Sequence, residues 1–378
     1  MSNKKILFLF YRSPLNFEKS NDKRQFIIYS ALKEQNEIKI LTFGEVDVHN
    51  DEEDVVELKH PALKKIFNLL IKLQSPRLTH YKSQKFYGLL IKILNSFQPD
   101  VIYVEHLLMM QYVVKLKTNA KIIFFNDESN LYVDENNLRG NSYQKIRNIG
   151  LAKLELKACK KADFTLAITE EEGKFLKQKK IENVFSIPYG VDPNFFSFNW
   201  KMPKEKSILF LGDFSHYPNR QAARILIKKI YPVLRGLGVK LKIIGRNINQ
   251  IKNLQSEALE FFENVTDVRP FYCDASVLVA PIFSGAGMRV KILEAALSGI
   301  PLIISPVANL GINLVDSKEA LICKSVKEFQ MTLKNFFSSK FESETDIIRK
   351  NARDKIEVQF NETILKEKIL DLFNRIDN

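Results

Sequence analysis

Residues 284–301 carry the strongest structural signal in this chain and read Ser-Gly-Ala-Gly-Met-Arg-Val-Lys-Ile-Leu-Glu-Ala-Ala-Leu-Ser-Gly-Ile-Pro. The small residues at 285–287 let the backbone approach a ligand closely. A helix is expected to follow, beginning at Gly287 and ending at Gly299. Its N-terminus offers free N–H groups and the positive end of the helix dipole, and both favour a bound anion.

Three charged residues support an anion site. Arg289 and Lys291 fall in the predicted first turn, where the helix dipole disfavours positive charge, so a bound anion would explain them. Glu294 lies one turn further on, within reach of whatever is attached to that anion. A diphosphate joined to a ribose is the natural candidate. The other reading is a simple tight turn, because the dinucleotide fingerprint needs a third glycine.

Apolar runs flank the loop on both sides. Residues 275–282 and 301–305 have the composition of short, buried parallel strands. Strand, loop, helix and strand make a βαβ unit, and ligands of open α/β sheets bind at the carboxyl ends of strands. The sequence therefore predicts a ligand site in residues 284–294.

The same alternation of strands and helices continues along the chain. Further strands are predicted at 4–10, 37–43, 101–104, 121–125, 164–168, 184–188, 206–212, 240–245 and 320–323, and helices at 23–33, 149–162, 170–179, 218–234, 326–337 and 345–376. This pattern predicts two doubly wound, Rossmann-like parallel sheets with a ligand cleft between them. We expect a first domain at 1–188, a linker at 189–205, a second domain at 206–345 and a closing helix at 346–378.

Composition indicates a globular protein of a reducing compartment. The 378 residues are 45% hydrophobic and 27% charged, and no apolar run approaches the length of a membrane span. The cysteines at 159, 273 and 323 have neither metal-binding nor redox spacing. We therefore expect a cytoplasmic protein with no bound metal.

The net charge of +13 includes one locally basic stretch, residues 59–92, in a region that has no acidic residue between Glu57 and Asp100. Within it, residues 63–73 are predicted to form a basic amphipathic helix. Such a helix can lie on an anionic membrane surface, or it can pack on the core with its lysines in solvent. Nucleic acid is not an expected partner, because no known binding module is present.

Several segments of the sequence, taken together, resemble the retaining family 4 glycosyltransferases of the GT-B fold. The matching segments are 162–169, 187–192, 210–212, 217–219, 242–245, 265–268 and 285–299, together with Asn351, Arg353 and Phe360 of the closing helix. The resemblance implies a GT-B fold whose closing helix crosses back to the first domain, with the donor bound in the second domain and the acceptor in the first. The implied reaction moves a sugar from a nucleoside diphosphate sugar to an acceptor hydroxyl with retention, without a further cofactor, in surface polysaccharide synthesis.

The resemblance also implies roles for donor-site residues. Glu294 would accept hydrogen bonds from the ribose hydroxyls. Ala286 stands where the family has an earlier glutamate, so main-chain N–H groups of residues 285–288 would hold more of the donor. The implied donor-binding set is Gly212, Asn219, Arg220, Val268, Gly285, Ala286, Gly287, Met288, Arg289, Lys291 and Glu294. Asp213 and Asn219 occupy the region of the family's phosphate-binding Arg and Lys, which leaves Arg220, Arg289 and Lys291 as substitutes and Arg246 as a weaker one.

Candidates in the first domain follow predicted strands. Asp127 would contact the donor sugar, although a helix cap is the other reading. His106 would orient the acceptor, although a histidine at a strand end is often structural. Lys23 and Arg24 would bind the phosphate of a lipid-linked acceptor. A nucleotide-sugar epimerase and a non-catalytic GT-B protein that binds nucleotide or glycan are the open alternatives.

Overall fold

The computed structural model describes residues 3–13, 23–44, 53–56, 75–191, 200–254, 259–338 and 342–376. The chain divides into two compact units. The first unit is Met1–Gly190 with Thr363–Asn378, and the second unit is Val191–Glu362.

The first unit is built on a parallel sheet with the strand order β3-β2-β1-β4-β5-β6-β7. Its strands are β1 (Lys5–Phe10), β2 (Glu37–Phe43), β3 (Glu53–Val56), β4 (Val101–Glu105), β5 (Lys121–Asn126), β6 (Phe164–Ala167) and β7 (Val184–Ser186). Its helices are α1 (Lys23–Lys33), α2 (Pro76–His80), α3 (Gln84–Phe97), α4 (Leu107–Val113), α5 (Asn130–Glu135), α6 (Ser142–Arg147), α7 (Leu151–Lys161) and α8 (Glu170–Gln178). The central strands are buried along their whole apolar length, as in sheets with helices on both faces.

The second unit repeats this architecture with the strand order β10-β9-β8-β11-β12-β13, again parallel throughout. Its strands are β8 (Ser207–Asp213), β9 (Lys240–Arg246), β10 (Leu259–Glu263), β11 (Val277–Ala280), β12 (Leu302–Ile304) and β13 (Leu321–Ile322). Its helices are α9 (Tyr217–Ile225), α10 (Arg269–Cys273), α11 (Val290–Ser298), α12 (Val326–Phe337) and α13 (Glu342–Gln359), and α14 (Glu362–Arg375) begins at its boundary and lies almost wholly in the first unit.

Each sheet reverses its direction of winding at one point. In the first unit the reversal falls between β1 and β4, and in the second between β8 and β11. Ligands of doubly wound sheets bind beside the carboxyl ends of the strands at such a switch point. Residues that follow β1, β4, β8 and β11 therefore lie where a ligand would bind.

Two doubly wound parallel sheets confirm the predicted fold class, and several elements differ in detail. The predicted helix 345–376 is two helices, because the chain leaves the helix at Phe360, whose carbonyl accepts from Val191 N at 2.7 Å. The predicted helix 218–234 is α-helical only to Ile225 and continues as a π turn and a 3₁₀ segment that contains Pro232, a residue without an N–H to donate. The predicted basic helix 63–73 lies outside the described residues.

Candidate active site

The carboxyl end of β8 is built from close backbone approaches. A Cβ on Gly245 would lie 1.8 Å from the carbonyl oxygen of Gly212, so β8 and β9 can end side by side only with glycine there. A Cβ on Gly212 would lie 2.9 Å from Cγ of Asn219. The start of α9 therefore packs directly against the end of β8.

The glycine loop after β11 contacts the same region. Gly285 and Gly287 have φ of 85° and 80°, a conformation that favours glycine. A Cβ on Gly285 would lie 3.0 Å from Cγ of Pro218, and Ser284 donates to Gln221 at 2.8 Å. The ends of β8 and β11 and the start of α9 thus form one site, which we call the β8–β11 edge.

Arg289 organises the loop from within. The expectation that the helix begins at Gly287 is wrong: α11 begins at Val290, and Arg289 is its N-cap residue. The guanidinium donates to the carbonyl oxygens of Ala286 at 2.7 Å and Ser284 at 3.2 Å. The positive φ of both glycines bends the chain so that these carbonyls meet the arginine, which ties the loop 284–289 together.

Lys291 points from the first turn of α11 to the end of β8. Its Nζ donates to the carbonyl oxygen of Leu211 at 2.6 Å and to Oδ1 of Asn219 at 2.8 Å, and it lies 4.8 Å from the centre of the Phe210 ring. Burial and then the charge of Arg289 lower the pKa of Lys291 to about 7. The amino group of Lys291 is thus held at the β8–β11 edge without a carboxylate among these contacts.

Glu294 lies one turn along α11 from Lys291. The hydroxyl of Tyr272 on α10 donates to Oε2 of Glu294 at 3.1 Å. Burial, followed by the charge of Glu294, raises the pKa of Tyr272 well above its usual value, so this hydroxyl stays a donor. Sequence reasoning missed Tyr272, because only the tertiary fold brings α10 to α11.

The other predicted donor-site residues lie in the loops around this edge. Arg220 donates to the carbonyl oxygens of Phe214 and Ser215, both at 2.6 Å, and Arg246 lies 3.3 Å from Asp213. Burial opposes the ionisation of Asp213, but hydrogen bonds, led by that from Ser215, lower its pKa overall. Val268 is the N-cap residue of the short helix α10.

In the first unit, His106 follows β4 at the switch point. It has a φ of 76°, and its Nδ1 accepts from Leu108 N at 3.0 Å. This bond places the proton of the neutral ring on Nε2, which lies 3.7 Å from Oδ2 of Asp127. The Tyr11 ring, which follows β1, has its centre 4.8 Å from that of the imidazole.

Asp127 follows β5 and lies beside His106. Ser129 is the N-cap residue of α5, and its Oγ accepts from Tyr132 N at 3.2 Å. Ser129, and not Asp127, is therefore the residue that caps α5. The structure brings Asp127 and His106 together at the ends of neighbouring strands.

Arg24 does not lie at an exposed anion site. Its side chain is 2% exposed in a 2.7 Å ion pair with Glu105, between the rings of Phe125 and Tyr189 at 4.3 and 4.5 Å. Its charge is balanced within the first unit, which speaks against its predicted contact with an acceptor phosphate. Lys23 begins α1, and its side chain lies outside the described residues.

Within the described ranges, the chain has neither a cluster of metal-ligating side chains nor a helix that could span a membrane. There, no group of three or more His, Cys, Asp or Glu side chains is arranged to hold a metal ion. No helix in that part of the chain is long and apolar enough to cross a membrane.

Comparisons with known proteins agree with this architecture. Residues 205–338 match the family model described as "Glycosyl transferases group 1". Curated protein sequences include no match to the chain. Solved structures similar to it include sucrose-phosphate synthase from Thermosynechococcus elongatus, at a TM-score of 0.76 and 15% identity, covering 99% of both chains.

Two further structures contain ligands. Anabaena HepE in complex with UDP and glucose has a TM-score of 0.69 and 13% identity, covering 99% of this chain and 100% of that one. A Staphylococcus aureus TarM variant in complex with fondaparinux, alpha-GlcNAc-glycerol and UDP has a TM-score of 0.68 and 13% identity, covering 98% and 100%. The chain therefore has the GT-B fold, and residues 205–338 of its second unit are similar to the group 1 glycosyltransferase model.

Proposed function

We propose that this chain is a retaining glycosyltransferase that moves a sugar from a nucleoside diphosphate sugar to an acceptor hydroxyl in surface polysaccharide synthesis. The observation that carries the proposal is the amino group of Lys291, which lies at the switch point of the second unit, inside the segment that matches the family model. The UDP complexes of the similar HepE and TarM structures support the same donor class.

The β8–β11 edge would hold the diphosphate. Loss of this leaving group develops negative charge, which preorganised donors stabilise best in a site that excludes water. Lys291, protonated when the diphosphate is bound, would supply one positive charge, and the main-chain N–H groups of residues 285–288 would supply dipoles in a loop that Arg289 holds in shape. Glu294, oriented by Tyr272, would accept hydrogen bonds from the ribose hydroxyls.

The first unit would supply the acceptor site and contacts to the reacting sugar. Retention needs no strong nucleophile where the departing phosphate itself takes the proton of the acceptor hydroxyl, so the paired carboxylates of a glycosidase are not required. His106 would donate a hydrogen bond from Nε2–H to the acceptor, and Asp127 would accept hydrogen bonds from hydroxyls of the donor sugar. The acceptor would be a glycan or a lipid-linked glycan, which suits a cytoplasmic protein that associates with an anionic membrane through residues 59–92.

The test is sugar transfer by the purified chain. The protein would be incubated with UDP-, GDP-, dTDP- or CMP-linked sugars and simple glycan acceptors. The anomeric configuration of the product would be determined from its anomeric protons by NMR. Transfer with an unchanged anomeric configuration supports the proposal, whereas an inverted product contradicts retention. Release of nucleotide with isomerised sugar and no transfer would support the epimerase, and binding without turnover would support the non-catalytic protein.

A further inference from the structure

Two glutamate side chains are buried beneath the segment that carries Asp127. Glu155 on α7 is 0% exposed and Glu172 on α8 is 2% exposed. Glutamate is almost never buried so completely unless its partners offset the cost of leaving water. The contacts of the two carboxyl groups show what they hold in place.

Glu155 accepts hydrogen bonds from both flanks of Asp127. Its Oε1 accepts from Asn126 Nδ2 at 2.9 Å and Ser129 Oγ at 2.6 Å, and its Oε2 accepts from the main-chain N–H of Leu131 at 2.9 Å. Three donors and no acceptor suit an ionised carboxylate, which only accepts. Glu155 therefore ties residues 126–131 to α7.

Glu172 has the opposite surroundings. Its Oε1 accepts a long 3.5 Å bond from Ser129 N and the Thr169 side chain lies close to the carboxyl group, but the buried Oε2 has no hydrogen-bond partner among the described residues. A neutral carboxylic acid suits this position better than a carboxylate. Burial raises the pKa of Glu172 to about 8 and that of Glu155 to about 7, and the charge of Glu155 adds to the rise at Glu172.

We propose that Glu155 and Glu172 are positioning residues for Asp127, with Glu155 ionised and tying down its segment while protonated Glu172 fills the adjoining space. The inference rests on the proposed function, in which Asp127 contacts the reacting sugar. Ionisation of Glu172 would then add a second buried charge and loosen the segment.

The neighbours of the pair do not relieve that second charge. The titratable and charged groups around it are Cys159 on α7, Tyr132, Asp134 and Arg139 around α5, Glu128 before α5 and Glu171 on α8. Burial raises the pKa values of Cys159 and Tyr132, so both stay neutral near pH 8, whereas Glu128 adds negative charge. Arg139 is already bonded to Asp134 and Asn130.

Two chemically identical substitutions should therefore act differently. Glu155→Gln places an amide N–H donor among three hydrogen-bond donors, so the segment that carries Asp127 should shift. Because Asp127 is then misplaced, we expect kcat to fall about 10- to 100-fold with a small change in donor KM. In the wild type, ionisation of Glu172 should lower kcat above about pH 8. Glu172→Gln removes the group that ionises, so we expect this fall of kcat to move to higher pH. Glu170→Gln, in the exposed first turn of the same helix, is the matched control.

The experiment combines pH profiles of sugar transfer with hydrogen exchange of the amides of residues 127–133. Loss of protection at Ser129 and Leu131 in Glu155→Gln, without loss elsewhere, supports the inference. Wild-type kcat and protection in Glu155→Gln would overturn it, as would an unchanged alkaline limb in Glu172→Gln. If the wild type transfers no sugar, the proposed function fails, while the exchange data still decide whether the pair holds the segment.

Discussion

Nζ of Lys291 donates a 2.8 Å hydrogen bond to Oδ1 of Asn219, which joins the first turn of α11 to the start of α9. Asn219 in turn donates through Nδ2 to the carbonyl oxygen of Asp213 at 2.9 Å. The amino group of Lys291 is therefore fixed by α9 and α11, the two helices that frame the switch point. Its lowered pKa makes its protonation state depend on what is bound there.

Binding of a nucleoside diphosphate should take up protons. In the free protein Lys291 has a pKa of about 7 and is mostly neutral at pH 8, and a diphosphate beside it would raise that pKa. Affinity should then weaken by up to about tenfold per pH unit above pH 7. Titration calorimetry in buffers of different ionisation enthalpy measures the uptake. Equal apparent enthalpies in all buffers would contradict this prediction.

The lowered pKa of Lys291 also predicts how the free energy of unfolding changes with pH. Because burial lowers the pKa of Lys291 from 10.5 to about 7, the unfolded chain binds more protons than the folded one between these values. Its contribution to the free energy of unfolding therefore rises with pH over that window. Lys291→Met should flatten the rise between pH 7.5 and 10 in urea unfolding, whereas a slope equal to that of the wild type would show that Lys291 does not titrate there.

Gly285→Ala should destabilise the second unit. The new Cβ would sit at a φ of 85° and 3.0 Å from both Pro218 and Arg289, and such a conformation alone costs about 1–2 kcal/mol. Gly236→Ala is the matched control, since its Cβ would meet nothing within 4 Å. Thermal unfolding should show a lower midpoint for the first variant only. Equal midpoints would mean that the loop adapts.

Removal of the Arg24 side chain should destabilise the first unit strongly. Arg24→Ala leaves Glu105 buried without its ion-pair partner, and breaking a buried pair costs about 3–5 kcal/mol. Lys5→Ala breaks an exposed 3.9 Å pair with Glu37 and should cost less than about 1 kcal/mol. Urea unfolding of both variants compares the two effects. A small loss in Arg24→Ala would leave room for its predicted role with an acceptor.

The parallel sheets were predictable because their central strands are short apolar runs separated by helical segments. β2, α1 and α12 have the predicted bounds, since each lies between clear polar boundaries. The edge strands β3 (Glu53–Val56) and β10 (Leu259–Glu263) were not predicted, because the charged residues within them interrupt the apolar run.

The site was predictable only in part. Arg289 and Lys291 were both expected to face an anion, yet only the fold shows Arg289 turned toward loop carbonyls and Lys291 toward the end of β8. Tyr272 and the buried Glu155 depend on contacts between elements distant in sequence. Composition and periodicity carry no record of such contacts.

The most direct test of the proposed donor site at the β8–β11 edge is a thermal-shift panel of UDP, GDP, dTDP and CMP. It would compare the wild type with Lys291→Ala and with Lys327→Ala, an exposed control on α12. A nucleotide at about 100 times its dissociation constant adds about 2.7 kcal/mol to stability. We predict that one nucleoside diphosphate stabilises the wild type and Lys327→Ala but not Lys291→Ala. No stabilisation by any nucleotide, or equal stabilisation of all three proteins, would contradict the account.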